Sequence, residues 1–359
     1  MEIKTFLAMM VKHDASDLYF SAEAPPAIKI EGKTRALGDR PLTAEIVKKL
    51  AYGMMTDEQV RTFEQDWEMD LAFTEPDVGR YRVNIFRQRG EVAMVIRYIH
   101  SHIPDIQELN LPPVLNELVM YPRGLVLVVG TTGSGKSTTL ASMINHRNQT
   151  RTGHILTIED PVEYLHSHKK SIVNQREVGF DTHSYQSALK RAMREAPDVI
   201  MIGEIRDRES MGQALMYAET GHLCLSTVHA TNANQTMERI TGFFPDYARK
   251  ELLKDISHNL RAVIAQRLLI GTDGRRVPAV ELLLNTPHVQ ELIQKGEIER
   301  LKEAMEQGHE IGMSTFDQSL YDLYKAEKIS LEEALENADS KNNLSLKVRL
   351  ENSGNSAHA

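Results

Sequence analysis

The sequence predicts an α/β protein in two parts, on three observations. Short alternating apolar runs fill the first hundred positions, a proline cluster follows, and from Leu125 onward buried strand-like runs alternate with helical stretches. That last order is the pattern of a largely parallel sheet covered by helices. A length of 359 residues exceeds what one hydrophobic core usually serves, in agreement with two domains.

The elements follow in order. After a short amphipathic start, Ala27 to Ile30 alternates as a strand and leads into a Glu31-Gly32 turn. Glu45 to Tyr52 and Thr56 to Asp66 read as helices. Tyr81 to Phe86 and Val92 to Ile99 read as strands joined across a turn containing Arg89 and Gly90. Together they make a small α+β domain over residues 1–100. Pro104, Pro112 and Pro113 deny helix continuation, so residues 101–118 read as a linker. The second domain covers 119–350, with strand candidates Leu125 to Val129, Ile155 to Ile158, Val199 to Ile202 and Leu223 to Val228. The chain after Pro278 reads as mostly helical, and the Ser/Asn/Gly-rich residues 351–359 as a disordered tail.

Composition excludes several classes. No apolar run approaches the roughly 20 residues of a membrane helix. The start lacks a signal peptide's apolar core and cleavage site, so a cytoplasmic location is expected. One cysteine, Cys224, excludes an internal disulfide and a cysteine-based zinc cluster. A net charge of −8 argues against a nucleic-acid binder, whose affinity rests on Lys and Arg contacts to phosphate.

The strongest chemical signal follows the apolar strand ending at Val129. Gly130, Thr131, Thr132, Gly133, Ser134, Gly135, Lys136 and Ser137 satisfy G-x-x-x-x-G-K-[ST], and Thr138 to Asn145 continues as a helix. Glycines let the backbone curl so that its N–H groups face phosphate oxygens, and the helix adds the positive end of its dipole. Lys136 brings a mobile charge to the β- and γ-phosphates of ATP, and the Ser137 hydroxyl completes a Mg²⁺ shell.

Further along, Asp198-Val-Ile-Met-Ile-Gly-Glu204 is an apolar strand ending in an acid, where ligands of open α/β sheets sit. Glu204 could hold Mg²⁺ through water or polarise the attacking water. Between the two motifs lie the carboxylates Glu159, Asp160 and Glu163, any of which could be the general base; acids also favour turns before prolines. His222 and His229 flank the strand Leu223 to Val228. Arginines Arg80, Arg82, Arg87, Arg89 and Arg97 crowd the first domain, and a guanidinium presented in trans stabilises a transferring phosphoryl group. For Arg87 and Arg89, at the turn, a solvated hairpin is the better reading.

Taken together, Asp14-Ala-Ser-Asp-Leu18, Ala24-Pro-Pro26, Gly130 to Ser137, Ile158-Glu-Asp-Pro-Val-Glu163, Asp198 to Glu204 and the stretch from Thr220-Gly-His222 to Thr227-Val-His229 resemble the secretion and pilus ATPase superfamily. Within it they resemble the type IV pilus retraction ATPases of the PilT/PilU kind, over nearly the whole chain. The resemblance implies a PAS-like α+β N-terminal domain, a RecA-like P-loop ATPase domain with a helical C-terminal part, and a homo-hexameric ring with ATP between domains and subunits. It further implies Glu163 and Glu204 as catalytic carboxylates, His222 and His229 as nucleotide-site residues, and Arg82 and Arg97 as arginine fingers. In one place the chain departs from the family: where the C-terminal motif reads AIRNLIRE, this sequence has His288-Val-Gln-Glu-Leu-Ile-Gln-Lys295. That points to a PilU-like accessory ATPase, acting beside a related retraction ATPase and an inner-membrane pilus platform protein, at the cytoplasmic face of that membrane.

Two other readings compete. In one, ATP is a structural ligand of a regulatory binding module; the retained acids Glu163 and Glu204 weigh against it. In the other, the ring serves secretion or DNA transfer; salt-dependent stimulation of turnover by DNA would mark that class.

Overall fold

A computed structural model describes residues 3–30, 32–75, 79–99 and 102–356. These fall into two units, Met1–His102 with Glu163–Leu165, and Ile103–Val162 with His166–Ala359. The Glu31 half of the expected first turn lies outside the described residues.

In the first unit, helix α1 (Ile3–Lys12) buries Phe6, Leu7 and Met10. Strands β1 (Asp17–Phe20), β2 (Ala27–Ile30) and β3 (Lys33–Ala36) precede α2 (Ala44–Tyr52) and α3 (Asp57–Asp66), and β4 (Glu68–Glu75), β5 (Gly79–Gln88) and β6 (Glu91–Ile99) follow. Thr43 caps α2, and Thr56 with Gln59 forms a capping box on α3, so Thr56 stands just outside the helix. The six strands form an antiparallel sheet in the order β3-β2-β1-β6-β5-β4. The β5–β6 hairpin closes through Arg89 (φ 51°) and Gly90 (φ 85°), two positive-φ positions whose twist suits a two-residue turn. Alternation puts Tyr81, Val83 and Ile85 of β5 in the core and leaves Arg80, Arg82 and Asn84 on the other face.

The second unit begins with α4 (Val114–Leu118), which starts directly after Pro113 and buries Leu115 and Leu118. The expected linker at 101–118 thus ends in a helix of this unit. Next come β7 (Gly124–Val129), α5 (Lys136–Thr150), β8 (Gly153–Glu159), β9 (Ser171–Glu177), α6 (Tyr185–Ala192), β10 (Val199–Ile202), α7 (Arg208–Glu219) and β11 (Leu223–Val228). They continue with α8 (Ala233–Gly242), α9 (Arg249–Asn259), β12 (Leu260–Ile270) and β13 (Arg276–Leu284). Helices α10 (Pro287–Lys295), α11 (Leu301–Gln307), α12 (Phe316–Lys325), α13 (Leu331–Glu336) and α14 (Lys341–Ser356) end the chain.

The seven-stranded sheet runs β13-β12-β7-β11-β10-β8-β9 and is parallel except for its β12–β13 pair. One face packs on α4 and α5 through Val126, Val128, Leu140 and Met143. The other packs on α6 to α9 and the C-terminal helices through Leu127, Val129, Ile200 and Ile202. The helical region starts later than expected, because β13 runs through Pro278 to Leu284. Proline is tolerated there because β13 is an edge strand. Helix α14 reaches Ser356, so it occupies most of the stretch where the sequence suggests a disordered tail; residues 357–359 lie outside the described residues.

Leu225, fully buried at the centre of β11, is a measure of this core. Leu225→Ala should cost about 2–5 kcal/mol, read as a lower denaturation midpoint.

Candidate nucleotide site

The loop between β7 and α5 is shaped by backbone that only glycine adopts easily. Gly130 has φ 153°, and a Cβ there would meet Ser134 Oγ at 2.3 Å and the Gln266 carbonyl at 2.6 Å. Gly135, at φ 91°, is the N-cap of α5, where no side chain supplies a cap and the first turn holds no acid. A helix start of that kind favours an anion. Lys136 is buried and its ammonium donates to the Gly130 carbonyl at 3.0 Å and the Thr131 carbonyl at 2.9 Å, so the charge stands inside the loop. The Ser134 hydroxyl is buried without a hydrogen-bond partner. Ser137 is half-buried on the first turn of α5. A cradle of close-approach glycines, a buried ammonium and an orphaned hydroxyl fits a polyphosphate.

The second side of the site is built by parallel pairing. Val228 of β11 lies opposite Val129 of β7, and Ser226 of β11 opposite Ile202 of β10, so three strands end at one edge. The segment after β10 is tied to both neighbours: the Gly203 amide donates to the Ile158 carbonyl at 2.8 Å, the Ile205 amide to the Thr227 carbonyl at 2.9 Å, and the Thr227 hydroxyl to the Gly203 carbonyl at 2.7 Å. Glu204 emerges here with its side chain 14% exposed. It accepts from Arg206 Nε at 2.6 Å and lies 3.2 Å from His229 Nε2. The structure therefore brings Glu204 and His229 together at the strand edge that carries Lys136.

The other expected site residues are placed elsewhere. His222 stands at the opposite end of β11, its Nδ1 3.2 Å from the Tyr217 carbonyl, and its own carbonyl accepts from the Gly124 amide at the start of β7. Six residues of strand separate it from His229, roughly 20 Å. Within one chain His222 is thus not a member of this edge, and the cause is plain: residues that flank a strand sit at its two ends. The three carboxylates near β8 disperse too. Glu159 is buried, accepting from the Thr157 hydroxyl at 2.6 Å and Gln175 at 3.2 Å. Asp160 is exposed, and Glu163 is exposed and groups with the first unit. Arg82 and Arg97 are direct cross-strand partners on β5 and β6; Arg97 donates to Asp17 at 2.8 Å, and Arg82 lies 3.9 Å from Asp70. The flanking acids offset the repulsion of two arginines placed side by side.

Two residues that sequence reasoning missed support the edge. Gln266 of β12 accepts from the Thr139 hydroxyl at 2.7 Å, and its amide nitrogen would stand 2.9 Å from a Cβ at Gly135. Its backbone and side chain thus brace both ends of the glycine loop. Tyr185, at the start of α6, places its hydroxyl where a Cβ on Gly203 would come within 2.7 Å. Burial pushes that phenol's pKa up, with Asp160, Glu159 and Glu204 adding to the rise and Arg206 opposing it, so the hydroxyl keeps its proton beside the acids.

Residues 2–275 match the protein family described as Type II/IV secretion system protein. The chain is 47% identical to the type IV pilus ATPase PilU of Pseudomonas aeruginosa, over all of this chain and 94% of that protein. It is 42% identical to the retraction ATPase PilT of the same organism, over 94% of this chain and 98% of the relative. A crystal structure of the pilus retraction motor PilT with bound ADP superposes with a TM-score of 0.89 at 43% identity, covering 96% of this chain and 99% of that one. The expected PAS-like first part and RecA-like second part stand with that match.

The packing at Gly203 makes a prediction. Gly203→Ala should displace Tyr185 and cost about 1–3 kcal/mol by thermal denaturation, and adding Tyr185→Phe, which removes the obstructing hydroxyl, should recover part of the loss.

Proposed function

The chain belongs to the type II/IV secretion ATPase family, and from that membership we propose that it is an ATP-hydrolysing motor of type IV pilus retraction, working as a homo-hexameric ring. The observation that carries the reading is the shared strand edge, with Lys136 inside its glycine loop and Glu204 held by His229 and Arg206.

Each residue then has a task. The amides of Gly130 to Thr138 cradle the phosphates, and Lys136 balances the charge that develops on the γ-phosphoryl group. Glu204 is a carboxylate whose two oxygens are oriented by different partners, so it can orient the attacking water while His229 fixes its rotamer. A Mg²⁺ ion would be held by the Ser137 hydroxyl and, through water, by Glu204, and would supply positive charge against the phosphates. Among the described residues no cluster of three or more His, Cys, Asp or Glu could hold a metal, which suits an ion that arrives with phosphates and keeps its waters. Glu163 remains a candidate second carboxylate, and His222 a candidate toward a neighbouring subunit's nucleotide. Arg82 and Arg97 are proposed as fingers for a neighbour's site, Arg97 with the handicap of its bond to Asp17.

A second feature favours action beside a related retraction ATPase. Helix α10 buries Val289, Leu292 and Ile293, while its outer side carries Gln290, Gln294 and a Glu291–Lys295 ion pair at 2.6 Å. Neutral amides cannot make the bidentate contacts of arginine, so a partner surface built for arginines is engaged weakly. No helix among the described residues is long and apolar enough to cross a membrane. A cytoplasmic ring resting on a platform protein at the inner membrane fits that observation.

Lys136→Ala should lower ATP turnover by about two orders of magnitude or more in a protein of unchanged melting temperature; unchanged turnover would remove the site assignment. Glu204→Gln should keep ATP affinity within about threefold while kcat falls roughly a hundredfold. In cells lacking the related motor, this protein alone should fail to retract pili, and robust retraction there would defeat the accessory reading.

A further inference from the structure

Glu281 is a carboxylate 2% exposed in β13, with no part in the chemistry above. An acid in the core is costly unless donors satisfy it. The first amides of two helices face it. Ala233 N, which opens α8, donates to Glu281 Oε1 at 2.8 Å, and the amide of Phe316, which opens α12, lies near enough to favour the charged carboxylate. Burial pushes the carboxyl up to about 7, a rise to which Asp339 adds and which the two amides and Arg267 oppose. Arg267 itself stacks at 3.8 Å on the Phe316 ring and bonds Asp339 at 2.8 Å, so the α12 side of the anchor is fixed by a second set of contacts.

The α8 side leads to the strand edge. Only Ala230, Thr231 and Asn232 separate Ala233 from His229, and these are held to α8. Gln235 Oε1 accepts from the Thr231 amide at 2.7 Å and the Thr231 hydroxyl at 2.8 Å, while the Asn232 side chain accepts from the Gln235 amide at 2.8 Å. A shift of the α8 start is passed to His229 with little slack, and His229 is one of the two partners that orient Glu204.

We propose that Glu281 is a positioning residue for ATP hydrolysis: by anchoring the start of α8 it sets His229 against Glu204, and through α12 it joins that contact to the C-terminal helices. The inference rests on the functional reading above and names a part of its machinery far from the nucleotide loop in sequence.

Glutamine separates positioning from mere packing. It keeps the volume of Glu281 but has one acceptor oxygen and no charge where the carboxylate has two acceptors, so its hold on the helix starts is weakened. A second variant, Ala233→Pro, breaks the same anchor from the helix side: it removes the amide that donates to Glu281 and sets a ring carbon in its place, at the first helical position, where the helix backbone tolerates proline. ATP turnover and ATP affinity are measured for full-length Glu281→Gln and Ala233→Pro, each in the unaltered chain and with His229→Ala. In the unaltered chain kcat should fall roughly ten- to a hundredfold with ATP affinity held within about threefold. With His229→Ala in place, either added change should cost less than about twofold, because the contact it positions is already gone. Equal losses in both backgrounds, or normal turnover in the variants that fold, overturn the inference while leaving the hydrolysis reading intact. An unaltered chain without turnover removes both.

Discussion

Ile202 of β10 lies beside Ser226 of β11, and Val228 of β11 lies beside Val129 of β7. That lateral register is what the candidate site depends on. Parallel strands of similar length end together, so the loops that follow β7, β10 and β11 leave the sheet from one edge. Neither the glycine loop nor Glu204 would be of use alone, because a nucleotide phosphate needs cradle, charge and carboxylate converging on one point. The strands are buried on both faces, which fixes the register: slipping β11 by one residue would turn Cys224 and Leu225 to the wrong layers.

At that edge the charges constrain one another. Lys136 is held by two carbonyls of its own loop, and Glu204 by a guanidinium and an imidazole. Tyr185 adds a proton donor among the acids, and Gly203 exists to leave it room. Supports come from distant parts of the chain: Gln266 bonds Thr139 from 127 residues away, and Glu281 meets Ala233 from 48 away. The β12–β13 hairpin thus carries little chemistry of its own but braces both sides of the edge.

Much of this was legible in the sequence because the relevant signals are local. A glycine-rich turn between an apolar strand and a helix declares itself within about fifteen residues, and Asp198 to Glu204 does so by its apolar run and terminal acid. Strands without a local signal escaped. All four residues of β3, Lys33–Ala36, are exposed and carry no alternation. Edge strand β9 mixes exposed Ile172 with buried Val173 among polar residues. β12 follows α9 with no intervening turn residue, so nothing marks the change of period. Gln266, Tyr185 and Glu281 were invisible because their roles are set by contacts across the fold. Of the two histidines that the family resemblance points to, one chain brings only His229 to this edge, because a six-residue strand holds the pair apart.

On the proposed function, nucleotide phosphates dock where β7, β10 and β11 end. Amide hydrogen exchange measured with and without Mg-ATP tests it most directly. Exchange should slow at Gly133 to Ser137 and at Gly203 to Arg206, with no change at Thr220 to His222 of a chain kept monomeric. Unchanged exchange in the glycine loop, or protection centred on Thr220 to His222 in that monomer, would contradict it.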